Sequence, residues 1–395
     1  MTYRVASRLW ARRLVFVAIF GALVFLLFDR RRIQHASPLS AKVAKDSRDD
    51  IYEEKIALPS FTGPFRCPID ELPGQVRMRT IRDQGIGVFV HGFKDRVGDM
   101  IWVNGAWEGP RLKSIVAYLR AIRSIDKTRD AFLDIGANVG LHTVQIAAEG
   151  LSVHSFEPIE ANGILVRCSL AFNNIMDRVR VNTFAVGDRA GRFCMTSPTG
   201  KYGDSMVDMT AHCGPESRIP MGTMNNYYQK VLQGKQKIAV MKISLRGFEV
   251  GAMRSATALF DGEEVPPVVF FDYDIALSKV FTNTQTFPHS ANAVIQDHGY
   301  NSIELVNFFH SRGFDLYRDT GQNSSAIAPS GFDGLGLTLG QPLAINLVAL
   351  NRGWKTKLEA AGFLLQGGTL IERNQTATPS EGTDSQPSAT SRAKA

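Results

Sequence analysis

Cysteine is scarce in this chain: Cys67, Cys168, Cys194 and Cys213 are the only four in 395 residues. No two form a Cys-x-x-Cys pair and none has a histidine at zinc-binding spacing, so a metal centre built on them is excluded. Cys168 falls in a predicted helix and Cys194 in a predicted strand, where packing in the core is the expected role. One disulfide, Cys194–Cys213 or one involving Cys67, is compatible with an oxidising lumen. A basic surplus over the body of the chain is also missing. The net charge is +7, but residues 1–48 hold ten Lys/Arg against Asp29 and Asp46, a balance of +8, which leaves the remainder at −1. The charge therefore reports a basic N-terminal flank, and nucleic acid is not an expected partner. A glycine pattern G-x-G-x-x-G is absent as well.

Long apolar runs are few. Leu14–Phe28 (LVFVAIFGALVFLLF) has fifteen residues without a charge, close to the lower end of spanning lengths. Arg12 and Arg13 precede it, Asp29 and three arginines follow, and no small-residue cleavage pattern ends it. An uncleaved signal anchor is expected, with residues 1–13 as a basic tail and 29–60 as a polar stem. A span this short suits the thinner membranes of the early secretory pathway, so a single-pass type II protein of the Golgi is expected. The alternative is a mitochondrial presequence, because the first 28 residues are arginine-rich and hold no acid.

What the sequence does have is one stretch that organises the rest, Ala131–Gly150 (AFLDIGANVGLHTVQIAAEG). Ala131, Phe132, Leu133 and Ile135 read as a buried parallel strand with Asp134 near its carboxyl end. Gly136, Asn138 and Gly140 make a tight turn into a short apolar helix, where a ligand can approach bare backbone. Leu151–Phe156 reads as the next strand, and Glu157-Pro158 closes it. An acid at that place can accept hydrogen bonds from ribose hydroxyls. Asn138 keeps a side chain where a pyrophosphate wants none, and Asp134 would repel phosphate while suiting an ammonium. S-adenosyl-L-methionine is therefore favoured over a nicotinamide cofactor.

Around this stretch the pattern alternates. Residues 61–127 read as a small β-rich lead-in ending in a helix at Arg111–Ile125, with Trp102 and Trp107 as core or lid residues. Helix Ile159–Asn173, strand Val179–Val186, strand Arg192–Met195, strand Lys237–Ser244, helix Gly247–Leu259 and strand Pro267–Phe271 follow. Residues 197–235 look irregular, as does Ile275–Gly299. Helix Ser302–Arg312 and strands Phe314–Tyr317 and Leu343–Leu350 complete an α/β, doubly wound sheet over residues 128–352. A C-terminal extension (353–372) and a disordered tail (373–395) come last. Asn323 and Asn374 match the glycosylation acceptor pattern.

Four passages resemble the FkbM-type S-adenosylmethionine-dependent methyltransferases, a class I (Rossmann-like) family. They are FLDIGANVGLHT (Phe132–Thr143), FEP with Asn162 (Phe156–Pro158), AVGD with Gly191 (Ala185–Asp188) and MKISLRGFE (Met241–Glu249). The last resembles the K-I-D-V-E-G-x-E signature, but Ser244 stands for its Asp and Arg246 for its Glu. Asn225 and Asn226 likewise stand where acids are usual, and Ser169 replaces a frequent Asn. The resemblance implies O-methylation of a sugar, glycan or other small polyhydroxy acceptor. Asp134, Gly136, Asn138, Gly140, Glu157, Pro158 and Asp188 are then the cofactor residues. Lys242, Ser244 and Glu249 are candidates for the acceptor, and no metal is expected.

Methyl transfer from a sulfonium is an in-line displacement that depends on alignment, and an alcohol acceptor also needs a base. His142, Asp272 and Asp274 lie near the carboxyl ends of strands and are the candidates. The altered motif supports a second expectation, a membrane-anchored binding or scaffolding protein that keeps the fold without turnover.

Overall fold

The computed structural model describes residues 66–372, apart from 73, 82–84, 93–94, 197–204, 209–211, 275–302, 320–343 and 367. The expected anchor, stem, glycosylation sites and tail, and all of Ile275–Gly299, lie outside these residues. Among the described residues, no helix is long and apolar enough to cross a membrane.

The first strands among the described residues form an antiparallel hairpin, β1 (Val76–Ile81) and β2 (Ile86–His91), followed by α1 (Arg96–Asn104) and α2 (Gly109–Ile125). The lead-in is thus as helical as it is extended. Asp95 caps α1 by accepting from Gly98 N at 2.7 Å, and Gly105 ends it in the left-handed region. Next come β3 (Arg129–Ile135), α3 (Leu141–Ala148), β4 (Ser152–Phe156), α4 (Glu160–Phe172) and β5 (Val179–Asn182). A small sheet of β6 (Ala185–Val186), β7 (Gly191–Thr196), β8 (Met206–Asp208) and β9 (Arg218–Gly222) is laid between. The expected single strand Val179–Val186 is therefore two strands in different sheets, and β8 and β9 lie within the stretch expected to be irregular.

The main sheet then resumes. After α5 (Met224–Tyr227) come β10 (Lys237–Ile243), α6 (Glu249–Arg254), α7 (Thr257–Phe260) and β11 (Val268–Asp274). The single helix expected at Gly247–Leu259 is broken at Ser255-Ala256. Then follow α8 (Ile303–Ser311), β12 (Phe314–Arg318), β13 (Ala344–Asn351), α9 (Arg352–Ala360) and a closing hairpin, β14 (Phe363–Gln366) with β15 (Thr369–Glu372).

Seven strands form the main sheet in the order β12-β13-β11-β10-β3-β4-β5, and only β13 runs antiparallel to its neighbours. From β3 the chain winds outward through β4 and β5, then crosses back to β10 and β11. The order reverses at β3, where a doubly wound, Rossmann-like sheet opens a crevice at its carboxyl edge. Alternation along β3 sends Ala131, Leu133 and Ile135 into one apolar layer and Phe132 into the other. Met241, Ile243, Val269 and Phe271 join the first layer; Val240, Val268 and Phe270 join the second. The strands are buried on both faces, which is why they read as continuous apolar runs.

Helix α4 fastens the lead-in hairpin to the sheet. Its polar residues Asn162 and Ser169 and its C-cap Asn173 fall on one face at helical spacing. Ser169 Oγ accepts from Phe89 N and Asn173 Oδ1 from Gly87 N, each at 2.9 Å, while Asn162 Oδ1 meets His91 Nε2 at 2.6 Å. A disulfide, Cys67–Cys168, ties the same helix to the start of the lead-in, and Cys194–Cys213 closes the small sheet. All four cysteines are paired, so core packing of free thiols is not their role.

Candidate active site

A cleft of about 450 Å³ opens at the carboxyl ends of β3, β4, β10 and β11. Its walls include the turn Gly136–Val139, Leu141 and His142 from the first turn of α3, and Phe156 to Ile159 after β4. Phe184, Val186, Met195 and Val207 supply apolar lining, and Lys242, Ser244 to Glu249 and Asp272 also line it. Trp107, Glu108 and Arg96 reach it from the lead-in. Four described non-glycine residues have positive φ, and Glu108, Asn138 and Arg246 among them line this cleft. Such conformations are held only where surrounding structure enforces them, and they gather at functional sites.

The glycine turn offers less bare backbone than its sequence implies. Gly136 N and Ala137 N both donate to Phe156 O at 3.0 Å, Asn138 N donates to Glu157 Oε2 at 2.9 Å, and Gly140 N to Ala137 O at 2.9 Å. Val139 N is taken by the Asn138 side chain at 2.7 Å. Every N–H of the turn is thus engaged within the protein, and no nest remains for a phosphate. Gly136 is required for another reason: at φ +84° a Cβ would stand 2.0 Å from Ser244 O, so this turn and the loop after β10 touch backbone to backbone. Gly140, at φ +80°, allows α3 to approach α4, where a Cβ would lie 2.7 Å from Val166. Gly140 itself does not line the cleft.

Asp134 is fully buried behind the turn and is outside the lining. Its Oδ1 accepts from Lys242 Nζ at 3.0 Å and its Oδ2 from Thr143 Oγ1 at 2.7 Å. The cation that meets this carboxylate is therefore the chain's own lysine, not a ligand ammonium. Burial lifts Asp134, but Lys242, with smaller help from His142 and Thr143, reverses this and holds the carboxyl below its usual range. Lys242 Nζ also donates to Gly136 O at 3.0 Å, which leaves one of its three donors toward the cleft.

Glu157 lines the cleft and is buried. Its oxygens accept from Asn138 N (2.9 Å), Ile159 N (3.0 Å) and Asn162 Nδ2 (3.2 Å). Burial raises its pKa, and these three donors counter it in part. A carboxylate has about four acceptor sites, so room remains for a ligand hydroxyl. Pro158 stands beside it in the lining, whereas Asp188 lies in the turn after β6 and outside it.

The three candidate bases separate clearly. Asp272 is held by Arg111 Nη1 at 2.8 Å and by Ser244 Oγ at 2.5 Å. Burial acts to raise its pKa, yet Arg111 and these hydrogen bonds keep it below the usual carboxylate range. Ser244, standing for an acid in the signature, thus serves Asp272. The backbone of Asp274 ends β11 opposite Ala344. His142 is buried and lines the cleft, and its Nε2 has no hydrogen-bond partner among the described residues. Burial foremost, then Lys242, lowers its pKa to about 4, so the ring is neutral at pH 7. Glu249 accepts from Leu245 N at 2.6 Å, and burial with the nearby Asp272 carboxylate lifts it to about 8. Among the described residues no cluster of His, Cys, Asp and Glu is arranged to hold a metal.

No protein-family profile matches the chain. No curated protein matches it either. Solved structures similar to it include the methyltransferase FkbM from Methylobacillus flagellatus, at 11% identity over 56% of this chain, with a TM-score of 0.31. This chain spans only 44% of that protein's length. An O-methyltransferase from Bacillus cereus in complex with SAH is similar at 12% identity, over 65% of this chain and 96% of that one, with a TM-score of 0.32. A putative caffeoyl-CoA O-methyltransferase from Staphylococcus aureus gives 10% identity, 65% and 93% coverage and a TM-score of 0.35. The Rossmann-like assignment rests on the strand order of the chain itself.

Several site residues were not foreseen from sequence. Arg111 is 161 positions from Asp272, so its role is invisible before folding. Trp107 lines the cleft, whereas Trp102 is exposed against Arg77. Arg96 and Glu108 carried no motif, although a Glu-Gly-Pro start to α2 is a recognisable helix entry.

Proposed function

We propose that this cleft binds S-adenosyl-L-methionine and that the protein is a methyltransferase acting on a hydroxyl of a sugar, glycan or other small polyhydroxy acceptor. The observation that carries the reading is the pairing of Glu157, at the end of β4, with a glycine turn whose N–H groups are all engaged. A ribose has a place at Glu157, while a dinucleotide pyrophosphate has no donors to meet it. The apolar side formed by Phe156, Phe184 and Val186 suits a purine, and the remaining donor of Lys242 suits a carboxylate. Gly136, Asn138, Glu157 and Pro158 would hold the cofactor directly; Asp134 and Gly140 would set the turn and Lys242 in place. When bound, the cofactor supplies an electrophilic methyl group.

His142 Nε2 is assigned as proton acceptor for the acceptor hydroxyl, because it is neutral, buried and unpartnered at the cleft wall. With this assignment turnover is flat from pH 5.5 to 8 as far as the base is concerned. A rise toward pH 8 would give the task to Glu249 instead.

The test is thermal unfolding of the purified full chain with S-adenosylmethionine, S-adenosylhomocysteine and NAD. At a hundredfold excess over Kd, the first two should raise Tm by about 5 °C and NAD should not. Glu157→Gln should abolish most of that shift. No response to any of the three would overturn the reading. One observation favours a fold kept without turnover: Asp272 is committed to Arg111 and Ser244. Cofactor binding without methyl transfer to any acceptor would establish that second reading.

We also propose a membrane-tethered protein of the secretory lumen, anchored through residues 14–28. Two disulfides support an oxidising compartment. Protease protection of tagged termini in microsomes tests this, and a protease-sensitive catalytic domain would refute it.

A further inference from the structure

Most of the charged groups lining the cleft are already held by the protein. Asp272 is taken by Arg111 and Ser244, Lys242 by Asp134 and Gly136 O, and Glu157 by three donors. Glu249 closes its own loop on Leu245 N. Glu108 is less committed. It lines the cleft with its side chain 20% exposed, and its carboxylate makes a long contact, 3.5 Å to Arg111 Nη1. That guanidinium is met more closely by Asp272 at 2.8 Å and by Asp319 at 3.2 Å.

A structural duty does not account for this glutamate. Glu108 stands at the N-cap of α2, yet its side chain makes no capping bond. Its backbone lies at φ 51°, where glycine or asparagine is less strained. Arg111 lies one turn further along α2, and its bond to Asp272 brings the start of that helix to the end of β11. In the strand order β11-β10-β3-β4, Glu108 is therefore on the β11 side, across β3 from Glu157, the acid assigned to the ribose. His142, from the first turn of α3, feels the Glu108 charge, and its buried Nε2 has no partner among the described residues. Trp107, half-buried in the same lining, adds apolar surface beside them.

We propose that Glu108 selects the acceptor: its carboxylate accepts hydrogen bonds from two neighbouring hydroxyls of a neutral sugar ring that lies against Trp107, next to His142. A carboxylate has about four acceptor sites, and a vicinal diol offers two O–H donors to its two oxygens. Charge decides among the classes of sugar. An acidic sugar would meet the Glu108 carboxylate with like charge, and an amino sugar would meet the Arg111 guanidinium beside it. A neutral ring meets neither penalty. The proposal rests on the methyl-transfer reading of the cleft and deepens it, since it names the residue that chooses the acceptor and the sugar chosen.

The test measures binding of fluorescent tetrasaccharides to the full chain saturated with S-adenosylhomocysteine. The probes are neutral tetramers of mannose, galactose and glucose, a glucosamine tetramer and a glucuronate tetramer. Periodate cleavage followed by borohydride reduction gives further forms that stay neutral but lack vicinal diols. At least one intact neutral form should bind about tenfold tighter than its cleaved counterpart and than either charged form. Glu108→Asn, which tolerates the left-handed backbone, and Glu108→Gln should each weaken that neutral form about tenfold, as loss of hydrogen bonds to a charged acceptor does. Neither should weaken the glucuronate form, because the repulsion goes with the charge. A charged or cleaved form that binds as tightly as the intact neutral ones, no binding of any neutral form, wild-type binding by both variants, or equal weakening of neutral and anionic forms would overturn the proposal. Absence of a thermal shift with S-adenosylhomocysteine in the same wild-type preparation would instead show that the underlying reading had failed.

Discussion

The buried pair Asp134–Lys242 allows a sharp stability prediction. Asp134 is 0% exposed and Lys242 4%, their charged atoms are 3.0 Å apart, and Thr143 completes the carboxylate at 2.7 Å. Removing one partner leaves the other charge buried without compensation, which costs about 3–5 kcal/mol. For Asp134→Ala, a loss of that size lowers Tm by about 10 °C. Replacing both charges, as in Asp134→Leu with Lys242→Met, should restore most of this, because an apolar pair of similar volume avoids desolvation altogether. The assay is urea unfolding of the two single variants and the double, analysed as a double-mutant cycle. The pH dependence has a fixed sign. Asp134 is held below its unfolded value, so its contribution is full above about pH 4 and is lost as pH falls through the folded value. A single variant that loses less than about 1 kcal/mol, or a double that loses the sum of the singles, would mean that the two charges are not a coupled buried pair.

Three further outcomes are expected. His142 and His154 are both kept neutral chiefly by burial, with pKa values lowered to about 4, and His154 lies between Tyr227 Oη and Gln236 Oε1 at 2.6 Å each. The unfolded chain binds protons below pH 6.5 that the folded one refuses until about pH 4, so stability should fall by about 2 kcal/mol per histidine between pH 7 and 5. An unchanged urea midpoint over that range would contradict this. Gly136→Ala should cost more than about 2 kcal/mol in thermal or urea unfolding, from positive φ and from the Ser244 carbonyl at 2.0 Å; wild-type stability would show that the two loops do not touch. Replacing Cys67 and Cys168 together by serine should cost about 4–5 kcal/mol, since the bridge closes a loop of 101 residues. Non-reduced peptide mapping should recover Cys67 with Cys168 and Cys194 with Cys213, and any other pairing would refute the crosslinks.

The central strands were legible because parallel strands covered on both faces are mostly apolar, as in Phe132–Ile135 and Lys237–Ile243, whose charged residues Asp134 and Lys242 pair with each other. The glycine turn and the acid after β4 were legible too, since tight strand-to-helix connections restrict residue type. What the sequence could not show was which groups those residues meet. Asp134 looks poised for a ligand until Lys242, 108 positions away, is brought against it. Gly136 looks like a cradle until Ser244 O is seen in the space its missing side chain leaves. The short strands β8 and β9 and the hairpin β14–β15 escaped notice because three to five residues with proline, glycine or polar neighbours carry no clear period. Helix α1 falls in the lead-in expected to be β-rich, and in its sequence only the Asp95 cap and the Gly105 stop mark it as helical.

The most direct measurement is a crystal structure of the full chain grown with S-adenosylhomocysteine. Ligand density is expected along the Gly136–Val139 turn, with ribose hydroxyls on Glu157 and the purine beside Phe156 and Phe184. A cleft without ligand at saturating concentration, or a ligand bound away from Glu157, would contradict it.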